Sequence, residues 1–379
     1  MNRLALTGAR IFTGDGWLDA HALIMAGGRI EALVPVAELD PRIARRSLNG
    51  GVLAPGFIDL QANGGGGFLL NDTPDVATMA ATAAAHRRFG TTALLPTFIT
   101  DHPAKMAQVL AAARDAQRAG VAGVLGLHLE GPFLDVARRG AHPEAFVRTM
   151  DDADVAQLLQ ADCGTLLLTV SPRAVSVALM ARLVATGIVL SLGHSDATSE
   201  EAGAALGAGA RAFTHLFNAM SPLAHRAPGM VGAALASEDA WCGLICDGIH
   251  VADTAVNVAL KAKGASKIFL ISDAMAPAAG GPDAFSLQGR KVTRRDGALR
   301  LEDGTLAGCD LTILQAVRHC VKRLGVPLAD ALRMGSATPA ALIGRDFERG
   351  YLRAGYCADV VHLDAGLALD HVWVDGIAI

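Results

Sequence analysis

The sequence predicts an α/β fold, a TIM-like (β/α)8 barrel with a small β domain formed by the N- and C-terminal segments. Eight short apolar runs recur after residue 50, alanine-rich segments lie between most of them, and polar residues gather where the runs end. Near-continuous apolar runs are typical of strands buried on both faces, as in a parallel sheet. Alternating strand and helix signals imply right-handed βαβ units, and eight such units form a barrel.

The apolar runs and the segments between them give the order of the predicted elements. The strands are predicted at residues 52–61, 92–99, 123–130, 166–170, 188–194, 212–217, 242–247 and 268–273. Helical character is clearest at residues 76–89, 104–119, 174–185, 199–206 and 254–263. This pattern assigns residues 51–349 to the predicted barrel.

The two ends of the chain differ from the middle. Residues 1–50 contain short β segments separated by turns at Gly14-Asp15-Gly16 and Gly27-Gly28, and residues 350–379 are also rich in strand-forming residues. We expect residues 1–50 and 350–379 to pair into one small β domain beside the barrel.

The composition argues against several classes of protein. The net charge of the 379 residues is −4 with both signs scattered, so nucleic acid is not an expected partner. The sequence lacks a run of about 18 apolar residues, which a membrane helix needs, and residues 1–16 lack the long apolar centre and small-residue cleavage site of a signal peptide. The six cysteines form no CxxC pair, as is typical of reduced thiols in the cytosol. We therefore expect a cytoplasmic protein without a membrane partner.

Polar residues mark the predicted C-terminal ends of the strands. A barrel of this type carries its active site at that rim. A polar residue in such a position is often a satisfied turn residue, but the repeated placement indicates a site. The residues are Gln61, His128, Glu130, His194, His215, Asp247 and Asp273.

Three of these residues suggest a metal centre. A carboxylate, Glu130, with two imidazoles, His194 and His215, suits zinc or a similar divalent ion and leaves a position for water. Each histidine alone is more often a core or surface residue. Asp273 is placed to take a proton from metal-bound water, whose pKa the ion would lower. An N-cap of a following helix is the structural alternative for Asp273.

Six segments together resemble one known family. The segments PGFIDLQANGGGG, HLEGPF, GHSDAT, THLFNAM, DGIHV and SDAMAP are similar to those of the N-acetylglucosamine-6-phosphate deacetylases of the amidohydrolase superfamily. The resemblance extends from residues 55–59 to residues 336–340 and covers nearly the whole chain. It implies a barrel enzyme that removes the acetyl group of N-acetyl-D-glucosamine 6-phosphate and releases acetate and D-glucosamine 6-phosphate.

The resemblance also implies roles for individual residues. By motif match, Glu130, His194 and His215 bind one divalent metal ion per subunit, and Asp273 is the acid/base. Zinc is the expected ion, although iron, manganese and cobalt accept the same ligands. Many amidohydrolases bind a second ion through an HxH motif, which here reads Gln61-Ala62-Asn63. Gln61 and Asn63 are therefore interpreted as a vestigial second-metal position.

The same resemblance implies the substrate contacts. His142 matches a histidine near the acetyl group, while Asn218 and the backbone of Ala219 match phosphate contacts. Arg226 matches an arginine that reaches phosphate from the neighbouring subunit, which implies a homodimer, and a guanidinium suits phosphate oxygens. His250 completes the set. Without the resemblance, Arg226 would be interpreted as a solvated loop charge and His250 as a turn residue.

Three alternative functions remain open. The first is deacetylation of N-acetylgalactosamine 6-phosphate, a sugar epimer. The second is another amidohydrolase reaction on a cyclic amide, although the missing HxH motif argues against it. The third is a non-catalytic relative that kept only the barrel. Cys309 and Asp310 also depart from the family's AGS segment, and we expect them to alter the rim of the pocket.

Overall fold

Eight parallel strands form the central sheet of the protein, a computed structural model that describes residues 3–379. They neighbour one another in chain order, which is the order of a (β/α)8 barrel. The strands are β1 (Phe57–Ala62), β2 (Thr91–Ile99), β3 (Gly126–Glu130), β4 (Thr165–Val170), β5 (Val189–Leu192), β6 (Ala212–Phe213), β7 (Trp241–Leu244) and β8 (Ile268–Leu270).

The segment that follows β8 returns to β1 and closes the barrel. The backbone nitrogen of Asp273 donates to the carbonyl oxygen of Gln61 at 2.9 Å. A parallel bridge also joins Ala62 to Ala274. The predicted barrel is therefore confirmed, and two residues predicted to lie at its active rim, Gln61 and Asp273, take part in its closure.

The α-helices of residues 3–379 surround this sheet. Several begin at a side chain that accepts a backbone N–H, such as Asp75, Asp151, Thr198 and Thr312, which satisfies part of the free first turn. None of the described helices has the length and hydropathy that a membrane crossing requires. The helices are α1 (Val76–Arg87), α2 (Pro103–Arg118), α3 (Asp152–Leu159), α4 (Val177–Val184), α5 (Ser199–Gly207), α6 (Gly229–Ala236), α7 (Asp253–Lys263), α8 (Ile313–Lys322), α9 (Leu328–Gly335) and α10 (Ala337–Leu342).

A hydrogen-bonded layer of polar side chains lies among the buried residues of the barrel strands. His128 lies inside β3, where its Nε2 is 2.8 Å from Thr169 Oγ1 and its Nδ1 is 3.3 Å from Thr97 Oγ1. Thr169 Oγ1 continues the layer to Thr214 Oγ1 at 2.7 Å. Burial lowers the pKa of His128 to about 4. His128 is thus a satisfied interior residue, two positions before the rim at Glu130.

The terminal segments form two β sheets of their own. A four-stranded sheet has the order Arg29–Pro35, His21–Ala26, Leu4–Thr7 and Ala44–Ser47. A six-stranded sheet has the order Ile377–Ala378, Leu369–Val374, Val360–Leu363, Val52–Pro55, Arg10–Phe12 and Trp17–Leu18. Strand Val52–Pro55 pairs antiparallel with Val360–Leu363, so segments from the two ends of the chain share one sheet.

The apolar run at 52–61 contains two strands, divided at Gly56. The backbone approaches Thr92 closely there, because a Cβ at Gly56 would lie 2.2 Å from Thr92 Oγ1. The first part of the run pairs in the six-stranded sheet and the second is β1. The limits 1–50 plus 350–379 and 51–349 stay a prediction, and we propose Gly56 as the point of division.

Three antiparallel strands that the sequence analysis did not predict follow β8. They are Ala284–Leu287, Arg290–Arg295 and Ala298–Leu301, and they bury Leu287, Val292 and Leu299 in a cluster with Ile99 and Met275. A two-stranded hairpin, Gly64–Gly65 with Phe68–Leu69, contributes Leu69 to the same cluster. Short 3₁₀ helices lie at Val36–Glu38, Val136–Arg138 and Glu144–Phe146.

Candidate active site

Three predicted metal ligands converge at the C-terminal rim of the barrel. Glu130 ends β3, while His194 and His215 lie two residues beyond the ends of β5 and β6. Glu130 Oε1 is 3.2 Å from His194 Nε2 and 2.9 Å from His215 Nε2. The two Nε2 atoms are 3.0 Å apart. One oxygen and two nitrogens thus point at a common position.

The carboxylate of this cluster is buried, and its close contacts with the two histidines stabilise its charge. Burial raises the pKa of the Glu130 carboxyl, but its close contacts with the rings of His194 and His215 outweigh burial and hold that pKa well below its usual range. Burial lowers the pKa of His215, but its hydrogen bond to Glu130 outweighs burial and raises it. A buried carboxylate is normally paired or bound to metal.

The residues present fit a divalent metal ion. His194 Nδ1 donates to the carbonyl oxygen of Arg138 at 2.9 Å, which leaves the Nε2 lone pair free to face the cluster. Carboxylate oxygen and imidazole nitrogen are ligands that zinc and similar ions accept. Glu130, His194 and His215 form a group whose ligand atoms all lie within 4.8 Å of one another.

Asp273 lies beside this cluster and is held by two amides. Its Oδ1 accepts hydrogen bonds from Asn63 Nδ2 at 2.8 Å and from Gln61 Nε2 at 3.2 Å. Gln61 Nε2 also lies 3.0 Å from Glu130 Oε1. Burial, and then the charge of Glu130, raise the pKa of Asp273 to about 7. The N-cap alternative is wrong, because the next helix after Asp273 begins only at Ile313.

Backbone strain is concentrated at this rim. His194, His215, Ala219 and Asp273 have φ values of 47°, 32°, 50° and 48°, in the left-handed region that residues with a Cβ seldom adopt. Each such residue costs on the order of 1 kcal/mol, and this strain is commonly found at functional sites. Contacts with the neighbouring strands therefore hold the backbone of these four residues in a conformation that is locally unfavourable.

A cavity of about 250 Å³ opens onto the cluster. It is lined by Asn63, Ile99, Glu130, Gly140, Ala141, His142, His194, His215, Asn218, Ala219, Ile245, His250, Asp273, Met275, Thr305, Leu306 and Gly308. Four of the five predicted substrate-binding residues are thus brought together with the predicted metal ligands. The fifth, Arg226, is exposed in the loop before α6 and lines a separate groove with Arg173 and Asp196.

His142 and Asn218 differ in how their polar atoms are satisfied at the cavity wall. His142 Nδ1 lies 2.8 Å from Thr100 Oγ1, and its ring centre is 4.4 Å from that of His194. Burial, and then His194, lower the pKa of His142 to about 3, so the ring is neutral at pH 7. Asn218 Nδ2 is buried and has no hydrogen-bond partner among residues 3–379.

His250 is held by its own loop. Its Nδ1 lies 2.6 Å from Asp247 Oδ2, and backbone nitrogens of the loop donate to the other carboxylate oxygen. Cys309 Sγ lies 3.5 Å from His250 Nδ1, so the cysteine that departs from the family segment contacts the ring from behind the cavity wall. Asp247, predicted at the rim of β7, thus contacts His250.

The three-stranded insertion, which the sequence analysis missed, supports the cavity wall through contacts with Thr100 and Ala141. Gln288 Nε2 donates to the carbonyl oxygen of Thr100 at 2.7 Å, and Arg290 donates to the carbonyl oxygen of Ala141. Asp310, the second departure, pairs with Arg294 at 2.7 Å and ties the insertion to the segment around Cys309. The chain just beyond the insertion supplies Thr305, Leu306 and Gly308.

Comparisons with known proteins agree over the whole chain. Residues 4–53 match the NagA composite domain, and residues 52–378 match the Amidohydrolase family. The chain is 40% identical over 375 residues to N-acetylgalactosamine-6-phosphate deacetylase of Shewanella sp. (strain ANA-3), covering 98% of this chain and 95% of the relative. It is 37% identical over 393 residues to N-acetylglucosamine-6-phosphate deacetylase of Homo sapiens, covering 98% and 94%.

A solved structure gives the same result. The crystal structure of N-acetylglucosamine-6-phosphate deacetylase from Pasteurella multocida superposes with a TM-score of 0.96 at 34% identity. The superposition covers 100% of this chain and 99% of that chain. The order of the elements, the residues at the rim and these relatives all agree, and the chain belongs to the amidohydrolase family.

Proposed function

We propose that the protein is a metal-dependent hydrolase that converts N-acetyl-D-glucosamine 6-phosphate to D-glucosamine 6-phosphate and acetate. The convergence of Glu130, His194 and His215 on one point, with Asp273 beside them in the same cavity, is the observation that carries the proposal. Relatives that carry this name and match nearly the whole chain, such as the human enzyme, support the substrate.

One divalent ion per subunit, with zinc the first candidate, would be held by Glu130, His194 and His215. When bound, such an ion lowers the pKa of a water molecule and polarises a carbonyl group. Iron, manganese and cobalt accept the same ligands. At the position where many amidohydrolases hold a second ion, Gln61 and Asn63 instead donate hydrogen bonds to Asp273. These contacts support a single-ion centre.

Asp273 would move the proton that the reaction requires. As a carboxylate it accepts a proton from the attacking water, and as a carboxylic acid it delivers that proton to the leaving amine nitrogen. A group serves both steps best when its pKa lies near the working pH, and the pKa of Asp273 is raised to about 7. Asn63 and Gln61 fix the direction of the carboxylate. His142, neutral and buried, would hydrogen-bond the acetyl group.

Phosphate would be held at the other side of the cavity. Asn218 Nδ2 has no partner within residues 3–379, and the backbone of Ala219 and the ring of His250 line the same space. Arg226 would contribute from a second copy of the chain in a homodimer, since in its own chain it is exposed and outside the cavity. A cytoplasmic location also stays a prediction.

Acetate release from purified protein tests the proposal. We expect acetate from N-acetylglucosamine 6-phosphate at a rate that depends on metal content, with both measured on the same sample. Unphosphorylated N-acetylglucosamine serves as the control and should react far more slowly. Metal-loaded protein that releases no acetate from the phosphorylated sugar would contradict the proposed function.

N-acetylgalactosamine 6-phosphate is the second candidate substrate. The relative from Shewanella sp. that is 40% identical to this chain is named for that sugar, as is one from Escherichia coli O157:H7 at 37% identity. The two substrates differ at one hydroxyl group, so the same metal centre and the same Asp273 would serve both. Values of kcat/KM for the two sugars, measured side by side, decide between them.

A further inference from the structure

A second group of metal-ligating side chains lies behind the wall of the same cavity. Asp247 and His250 belong to the loop after β7, and Cys309 follows the three-stranded insertion. The side chains of Asp247 and His250 are 11% and 6% exposed, and Cys309 is 1% exposed. One ligand atom from each lies within 4.8 Å of the others.

His250 Nδ1 is the centre of this group. It lies 2.6 Å from Asp247 Oδ2 and 3.5 Å from Cys309 Sγ. Oxygen, nitrogen and sulfur donors thus face one another across a short gap. The arrangement shares no residue with the centre at Glu130, His194 and His215, and unlike that centre it contains a thiol. Thiolate ligands favour soft ions, whereas oxygen and nitrogen alone accept a wider range.

We propose that Asp247, His250 and Cys309 form a second site, specific for soft divalent ions such as zinc and cadmium, whose occupation inhibits the enzyme. Three protein ligands of this kind leave one position of a tetrahedral ion for water. On binding, the Cys309 thiol releases its proton to solvent and its sulfur forms the bond to the ion. The imidazole stays neutral, because its proton moves from Nδ1 to Nε2 as the ion takes Nδ1.

Occupation of this site would change the cavity through His250. In the structure, Asp247 fixes the His250 ring through Nδ1, and the ring lines the cavity. An ion bound at Nδ1 replaces that hydrogen bond, so Asp247 no longer holds the ring in its place. The KM for a phosphorylated substrate would therefore rise. This effect on KM rests on the proposed function, whereas the binding of the ion does not.

Cadmium absorbance tests the binding directly. Protein that carries one zinc ion per chain, with its thiols kept reduced by a phosphine, is titrated with cadmium while the ultraviolet band of cadmium–thiolate bonds is followed. We expect a band that saturates at one ion per chain. Exchange of cadmium into the Glu130 centre is silent in this measurement, because that centre has no sulfur ligand.

Three serine variants assign the band. Cys309→Ser should lose it, and Asp247→Asn should weaken cadmium binding at least about tenfold. Cys163→Ser is the matched control, since Cys163 is a similarly buried thiol elsewhere in the barrel, and should keep the band. Cys246→Ser tests whether the band comes instead from Cys246 and Cys320, because their Sγ atoms lie 3.4 Å apart.

Several outcomes would overturn the proposal. Absence of a band in the parent protein would do so, as would an unchanged band in Cys309→Ser, or loss of the band in Cys246→Ser alone. In the kinetic arm, added cadmium should raise the KM of the parent but not that of Cys309→Ser. If the protein releases no acetate from either sugar phosphate, the proposed function fails while the absorbance result still decides the second site.

Discussion

At the scale of single residues, the polar groups of the site depend on one another for their charge and pKa. Glu130 is buried, and the rings of His194 and His215 lie within hydrogen-bond distance of its carboxylate. That same charge helps to raise the pKa of Asp273. The pKa values of these two carboxyl groups in one cavity are therefore shifted in opposite directions, as is typical of general acid/base sites.

Replacement of Asp273 by Asn tests the proton-transfer role. Asparagine keeps the shape and the contact with the neighbouring amides in part, but it cannot accept a proton. We expect Asp273→Asn to lower kcat by about a hundredfold to ten-thousandfold while metal content stays the same. Asp310→Asn is the control, since Asp310 pairs with Arg294 and does not line the cavity. Turnover of Asp273→Asn at the parental rate would refute the assignment.

Replacement of Arg226 tests the contact across a dimer. We expect Arg226→Ala to raise KM for the phosphorylated sugar roughly tenfold to a hundredfold, because a charged hydrogen bond to phosphate is lost. The KM of Arg226→Lys should lie between those of the parent protein and Arg226→Ala, since lysine keeps the charge but not the paired donors. KM for the unphosphorylated sugar should not change. An equal rise in KM for both sugars would contradict the assignment of Arg226 to the phosphate site.

At the scale of elements, helix α3 shows how a cap and an ion pair share one carboxylate. Asp151 and Asp154 form a capping box, and Arg148 donates to both carboxylate oxygens of Asp154 at 2.5 Å. Burial raises the pKa of Asp154, but the hydrogen bonds from Arg148 outweigh it and lower that pKa. The start of α3, on the chain that follows the loop of His142, is thereby fixed.

The lowered pKa of Asp154 gives a dependence of stability on pH. The stabilisation is present above the unfolded-state pKa, about 3.9, and is lost as pH falls through the lower folded-state value. We expect Asp154→Asn to reduce the free energy of unfolding by about 2 kcal/mol at pH 7. Denaturant titrations should show this difference shrinking below about pH 4. Asp152→Asn, an exposed neighbour, should change little; a constant difference across pH would exclude the ion pair as its cause.

The three-stranded insertion is the element that sequence reasoning did not find. Its strands mix charged and apolar residues, so they lack the continuous apolar signal of the barrel strands. A signal was nevertheless present: Gln288-Gly289 and Asp296-Gly297 are two-residue turns, and all four residues have φ between 50° and 81°. Such pairs between alternating residues are typical of β hairpins. A search for them would have predicted the insertion.

At the scale of the whole molecule, the barrel and most of the rim could be predicted, because buried parallel strands leave a strong apolar pattern and end at one face. Glu130, His194, His215 and Asp273 followed from that geometry and from the family resemblance. That Arg226 lies outside the cavity of its own chain could not be predicted, because the family resemblance implies a role for the residue but not the course of its loop. The contacts of Cys309 also depend on how a distant loop returns to β7.

Removal of the metal should destabilise the whole fold. An ion that binds only the folded state adds to stability by mass action, about 4 kcal/mol at a thousand times its Kd. We expect chelation to lower Tm on the order of 5 °C, with readdition of zinc restoring it. Glu130→Gln should bind less metal and show a much smaller shift. An identical Tm with and without metal, at verified metal content, would contradict the role of Glu130.

The pairing of Val52–Pro55 with Val360–Leu363 has a consequence for how the chain is made. A ribosome releases the first of these strands early and the second only after almost the whole barrel has emerged. Until then, one edge of the terminal sheet exposes unpaired backbone N–H and C=O groups, which can pair with other chains. Newly made molecules should thus be most prone to aggregate shortly before translation finishes, and nonsense mutations near the 3′ end should yield insoluble product.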